Sequence, residues 1–204
     1  MWAVSQTVKK IAGWVASALK RTLHTPDDPM LFAMRVVLGA VMFAHGAQKA
    51  LGWFGGAGLQ PTLEYFGRTL GIPRPLGLLA IAAEFLGGMG LMLGLLGRIC
   101  ALGIGVNMAV AMLLVHLQNG FFMNWFGTKA GEGFEYHLLA LALALPLVIR
   151  GAGAFSLDRV LDRMAAGRTS GGGLEPAKSW QELPPAGAAV RFSSLWLSAE
   201  YRWK

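Results

Sequence analysis

Cysteine is nearly missing: Cys100 stands alone in 204 residues. That excludes an intrachain disulfide, a CxxC redox pair and a cysteine-rich metal site, so any redox chemistry would need a bound cofactor or a partner. Charge is scarce too. Charged residues make up 14% of the chain, against about 25% in an average soluble protein, and the mean hydropathy is +0.49. The chain therefore reads as an all-α integral membrane protein. Its net charge of +7 does not indicate nucleic acid, because the basic residues flank apolar runs and do not form a patch with interleaved aromatics. No metal site is assigned either. What is plentiful is glycine (28), methionine (10) and blocks of Ala and Leu, a composition that suits closely packed transmembrane helices.

Residues 1–30 form an N-terminal segment in which Val4, Val8, Ile11, Val15 and Leu19 recur at helical spacing, with Lys9, Lys10, Lys20 and Arg21 elsewhere on the wheel. This is expected to be an amphipathic helix on an anionic membrane surface. A signal peptide is the competing reading, with Ile11 to Leu19 as its apolar core, and the basic residues directly after that core argue against export. Thr25-Pro26-Asp27-Asp28-Pro29 then breaks the helix. Four spans are expected, at about 31–51, 76–97, 99–118 and 135–149, the second and third separated only by Arg98. Leu59 to Gly71 is too short and polar to cross and reads as an interfacial helix. Gly87, Gly90 and Gly94 are expected to give the second span a close-packing face. After Arg150, Ser156 to Met164 reads as a short amphipathic helix, Gly167 to Gly173 as a flexible linker, and the tail to Lys204 as an aromatic segment. The expected division is thus 1–30, 31–162 and 163–204.

Basic residues near the span ends orient the chain. Lys20, Arg21, Arg35, Arg98, Arg150, Arg159 and Arg163 fall on one side, and Arg68, Arg74 and Lys129 on the other. Both termini are accordingly expected in the cytoplasm of a bacterial cell, with the protein in its inner membrane.

The first span carries His45, Gln48 and Lys49, spaced i, i+3, i+4, and such a face should look into protein and away from lipid. At about 1.5 Å of rise per residue, His45 lies roughly 9 Å below the outer end of its span and Glu84 roughly 12 Å below the outer start of the second. His116 and His137 lie within about one turn of the outer ends of theirs. The candidate polar cluster is therefore His45, Gln48, Lys49, Glu84, His116 and His137. Glu84 either neutralises Lys49 or His45 or acts in proton chemistry, and no catalytic residue is assigned. Asn107 reads as interhelical glue.

His45-Gly46-Ala47-Gln48-Lys49 followed by Gly52-Trp53-Phe54-Gly55-Gly56, then Ala83-Glu84-Phe85-Leu86-Gly87-Gly88, His116-Leu117-Gln118-Asn119-Gly120-Phe121-Phe122 and Gly131-Glu132-Gly133-Phe134-Glu135-Tyr136 resemble, in order, the recurring motifs of the DoxX family of small four-span membrane proteins. The resemblance covers about Leu31 to Asp162. It implies a four-helix bundle, and links to quinone-dependent sulfur oxidation and to redox-stress complexes assembled with soluble enzymes. A quinone needs an apolar slot and groups that donate hydrogen bonds to its oxygens. His45, Trp53, Phe54 and His116 are the expected contacts, with Gln48 and Lys49 beside them. The alternative is a non-catalytic accessory subunit that anchors or assembles a larger complex, with a protein partner reached through Val4–Leu23 and Ala188–Lys204. A transporter finds little support, since no inverted repeat is visible.

Overall fold

Helices make up most of the computed structural model, which describes residues 2–170. The aromatic segment Ala188–Lys204 lies outside the described residues. In order, the helices are α1 (Trp2–Leu23), α2 (Pro29–Leu51), α3 (Leu59–Leu70), α4 (Arg74–Leu93), α5 (Gly97–Ala111), α6 (Glu135–Arg150) and α7 (Leu157–Ser170). A 3₁₀ turn at Trp53–Gly55 follows α2. α5 continues through a π-helical turn, Met112–His116, and a 3₁₀ turn, Leu117–Asn119.

Local chemistry explains the boundaries. The Asp28 carboxylate accepts from the Met30 and Leu31 N–H groups, and Pro29 opens α2 where no N–H is needed. Gly52 ends α2 with φ +74°, a conformation that costs glycine little. α4 stops at Gly94 in the same way, so the second and third expected spans are joined by Gly94–Leu96, and Arg98 sits inside the first turn of α5. α7 runs on through Gly167–Ser170, the first part of the expected linker, since one glycine costs a helix only about 1 kcal/mol.

α2 packs on α4 and α6, and α5 packs on α4 and α6, as one unit that ends at Arg168. Its core is small. Leu38 and Met42 from α2, Leu91 from α4, Ile104 from α5 and Ala144 and Leu147 from α6 meet there. Leucines on the outside, such as Leu79, Leu102 and Leu139, are each more than half exposed. A surface so apolar is one that faces lipid. By length and composition, α2, α4 and Gly97–Asn119 are long and apolar enough to cross a membrane. α6 has 16 residues, which at about 1.5 Å each falls short of a hydrocarbon core of about 30 Å.

The closest approach is between α2 and α4, and it does not use the expected glycines. A Cβ on Gly39 would lie 2.8 Å from the Gly88 carbonyl oxygen, and one on Gly46 would lie 2.8 Å from the Glu84 carbonyl carbon. Of the expected three, Gly87 faces Ile104 at ordinary distance, Gly90 packs closely on α5, where a Cβ would lie 2.6 Å from Cys100 Sγ, and Gly94 serves as the α4 cap. Backbone therefore meets backbone where α2 carries Lys49 and α4 carries Glu84.

At the end where α2 starts and α4 stops, side chains from distant helices satisfy the orphan backbone groups of helix ends. Arg35, 1% exposed, donates to the Leu91 and Met92 carbonyls of α4 at 2.8 and 2.6 Å, and to Ala154 and Phe155 at 3.2 and 2.6 Å. Arg98 donates to Val148 at 2.9 Å and to Ile149 at the end of α6. Asp158 accepts from the Leu96 and Gly97 N–H groups at 2.7 and 2.8 Å, capping α5 from α7. Burial raises the Asp158 carboxyl above its ordinary pKa, opposed by those two N–H donors and by Arg35 and Arg98. This end is hereafter the clasp. It gives Arg35 and Arg98, expected only as markers of orientation, an architectural role.

Candidate functional site

Toward the opposite, loop end, the Gly46 crossing brings Lys49 against Glu84. The Lys49 Nζ lies 2.6 Å from Glu84 Oε1 and also contacts Oε2. Asn107 of α5 donates from Nδ2 to Oε1 at 2.9 Å. Three helices thus converge on one carboxylate. The Glu84 side chain is 4% exposed and that of Lys49 is 31% exposed, so the acid is enclosed while the base retains a way out.

His45 is not part of this pair. Neighbouring residues on a helix are about 100° apart, so with Gly46 set against α4, His45 falls at the edge of the packed face and is exposed. Its expected burial with Lys49 therefore does not hold. Instead it borders a groove of about 470 Å³ lined by Ala40, Val41, Ala44, His45, Gln48 and Phe54. Gln48 donates to the Phe54 carbonyl at 3.4 Å, which ties α2 to the 3₁₀ turn. Phe54 takes φ +51°, and its ring lies 6.3 Å from that of Trp53. Trp53 is 52% exposed and does not line the groove.

From His45 a series of rings leads across α6 to α5. The His45 and Tyr136 centroids are 5.9 Å apart, Tyr136 and His137 5.6 Å, and His137 and His116 4.2 Å. The π turn delivers His116 to this series, and π turns recur at functional sites. His116 Nδ1 faces the Glu132 carbonyl at 2.9 Å, so that nitrogen carries the proton. Asn119 Nδ2 holds the same carbonyl at 3.0 Å. His137 Nδ1 and the Tyr136 hydroxyl are buried without a hydrogen-bond partner. Buried polar atoms left in this state are suited to a ligand or to ordered water. Among the described residues no group of three or more His, Cys, Asp and Glu is arranged to hold a metal.

Residues 30–117 match the family model described as DoxX. This part of the chain is a DoxX domain. His45, Gln48, Lys49, Glu84, Asn107 and His116 fall inside the DoxX match, whereas Tyr136, His137 and Asp158 lie beyond it. CatD of Bacillus subtilis (strain 168), provisionally named an oxidoreductase, is 26% identical over 125 residues, which are 61% of this chain and 81% of CatD. The uncharacterized membrane protein Rv3486 of Mycobacterium tuberculosis is 28% identical over 169 residues, 76% of this chain and 95% of its own. No solved structure matches. The DoxX domain thus belongs to an apolar, helical membrane protein with a similarity to one protein named as an oxidoreductase.

One residue of the site, and one pairing, escaped the sequence. Tyr136 was visible only as part of a motif, although its place beside His137 on a helix start was a usable signal. Asn107, expected as interhelical glue, does join α5 to α4, but nothing in the spacing tells that its partner there is Glu84.

Proposed function

We propose that this protein is the membrane-embedded subunit of a quinone-linked redox complex of the bacterial inner membrane, a four-span bundle with both termini in the cytoplasm. One observation carries the reading: an enclosed carboxylate, hydrogen-bonded by Asn107, is paired with Lys49, which stands one helical turn from a histidine that opens onto an apolar groove. The groove, about 470 Å³, falls in the usual range of ligand sites, roughly 300–1,000 Å³. Behind His45, whose ring lies 5.9 Å from that of Tyr136, the unpartnered Tyr136 hydroxyl is a polar group of the kind that quinone oxygens engage, although it does not line the groove. The residues present therefore fit the group. When bound, a quinone would supply the electron acceptor. His45 and Gln48 would hold its ring from α2, Phe54 would cover the ring face and shield it from water, and Glu84 would hold a proton at Oε1 or Oε2 in exchange with Lys49 Nζ. Electrons would come from a partner subunit.

A second reading has its own support. Both oxygens of Glu84 are already engaged, by Lys49 and Asn107, as in a cluster that only fixes helix register. On that reading the protein is an accessory subunit that anchors or assembles a larger complex. Gentle purification with identification of co-purifying proteins and extracted quinones separates the two. A quinone retained in the wild-type complex and lost on His45→Ala supports the first, and a stoichiometric partner without quinone supports the second.

A further inference from the structure

α7 is built the wrong way round for a helix surrounded by water. Asp158, Arg159 and Asp162 lie on the side turned to the rest of the protein: Asp158 caps α5, Arg159 pairs with Asp27, and Asp162 meets His24 Nδ1 at 3.1 Å. The opposite side carries Leu157, Val160, Leu161 and Met164 at i, i+3, i+4, i+7, and these are 41–64% exposed. Phe155, just before the helix, is 82% exposed. α1 adds a second open apolar face in Val8, Ile11, Trp14, Val15 and Leu19, of which Trp14 is 77% exposed.

We propose that α7 and α1 form a collar in the headgroup layer of an anionic lipid leaflet, their apolar stripes directed into the acyl boundary. Two observations select lipid. Both helices join the clasp, the plane at which the candidate spans α2, α4 and α5 begin or end, so their apolar stripes continue the lipid-facing surface. The charge there is also one-sided. Among the described residues every acid at this end is engaged: Asp27 by Arg159, Asp28 by Arg150 and the α2 cap, Asp158 by the α5 N-terminus, and Asp162 by His24. Lys10, Lys20 and Arg21 on α1 are exposed and, among the described residues, in no ion pair, which complements an anionic leaflet. The inference stands apart from the quinone reading.

The test uses the full chain with Cys100→Ala, carrying single nitroxide-labelled cysteines at Ile11, Val15, Leu161 or Met164, or at Ser17 or Arg163 for comparison. It is reconstituted in vesicles of phosphatidylglycerol with phosphatidylcholine, and of phosphatidylcholine alone. Labels at the first four positions should relax mainly with oxygen, about 5–10 Å into the headgroup and acyl boundary, and those at Ser17 and Arg163 mainly with a water-soluble nickel chelate. Lys10, Lys20 and Arg21 changed together to Gln should abolish the difference between the two vesicles at Ile11 and Val15. Nickel-dominated relaxation at Leu161 and Met164 would overturn the proposal, as would shielding from both reagents, the sign of a second copy or a protein partner. Should Cys100→Ala not fold, quenching by brominated phosphatidylglycerol in the otherwise native chain, compared with Trp14→Phe, decides the same point. Since the chain has seven tryptophans, the comparison reads the difference between the two proteins: loss of a quenchable share of the emission with Trp14 supports the collar, and an unchanged quenchable emission counts against it.

Discussion

Removing the base of the Lys49–Glu84 pair should cost more than removing the acid. The two side chains are unequally enclosed, 31% exposed for Lys49 and 4% for Glu84. In Glu84→Gln the lysine loses its counter-charge but can extend toward its exposed side, and the new amide oxygen still accepts from Asn107, so the expected loss is about 1–3 kcal/mol. In Lys49→Met the carboxylate is left enclosed with one neutral donor, which costs about 3–5 kcal/mol unless it takes up a proton. The double variant keeps the shape and removes both charges, and should return to within about 1 kcal/mol of wild type. The assay is unfolding by dodecyl sulfate in mixed micelles, followed by far-ultraviolet circular dichroism for all four proteins. Equal losses from the single changes, or losses that simply add in the double variant, would refute the reasoning. If assembled complex is obtained, the same set bears on chemistry. A proton-exchanging Glu84 predicts a turnover about 10²-fold lower in Glu84→Gln with assembly intact, and a double variant that stays inactive.

Four further outcomes are expected. Arg35→Met leaves four carbonyls at the clasp without their cationic donor and should lower stability by about 3–5 kcal/mol in the same assay, while Arg35→Lys should recover only part, because an ammonium cannot bridge both pairs of carbonyls. Gly46→Ala drives a methyl into the α4 backbone and should cost about 1–3 kcal/mol, whereas Gly103→Ala, whose Cβ would meet that of Ala83 at 3.6 Å, should be neutral or stabilising by up to about 1 kcal/mol. Arg159 holds the Asp27 carboxyl below its ordinary pKa, so the stabilisation from this pair is present above the usual aspartate range and lost as pH falls through the lowered value. Limited proteolysis should therefore find α7 loosened slightly as pH falls below the usual aspartate range, and Asp27→Asn should show that same slight loosening already at neutral pH. For topology, cysteines at Gly58 and Thr128 should label from outside intact cells, and protection of both with labelling at Gly172 would reverse the proposed orientation.

Much was already decided by local sequence. Low charge and long apolar runs determine a helical membrane protein, because backbone groups in lipid must be satisfied within the segment. Pro29 after Asp28, Gly52 after Leu51 and Pro73 after Gly71 mark helix limits through φ/ψ restrictions that act on one or two residues. Lys49 and Glu84 also stood out, since such residues at such depth need a partner. The tertiary structure alone decided which partner each polar residue meets. Gly39 and Gly46 on α2 select the face set against α4, and that contact turns Lys49 inward and leaves His45 at a groove. Arg35 read as a marker of orientation until α4 and the Ala154–Phe155 backbone supplied its four acceptors, two of them 119 and 120 residues away. The inverted face of α7 was equally hidden. Periodicity reveals that a helix has an apolar side, but only the clasp, which takes up Asp158, Arg159 and Asp162, determines that this side points outward.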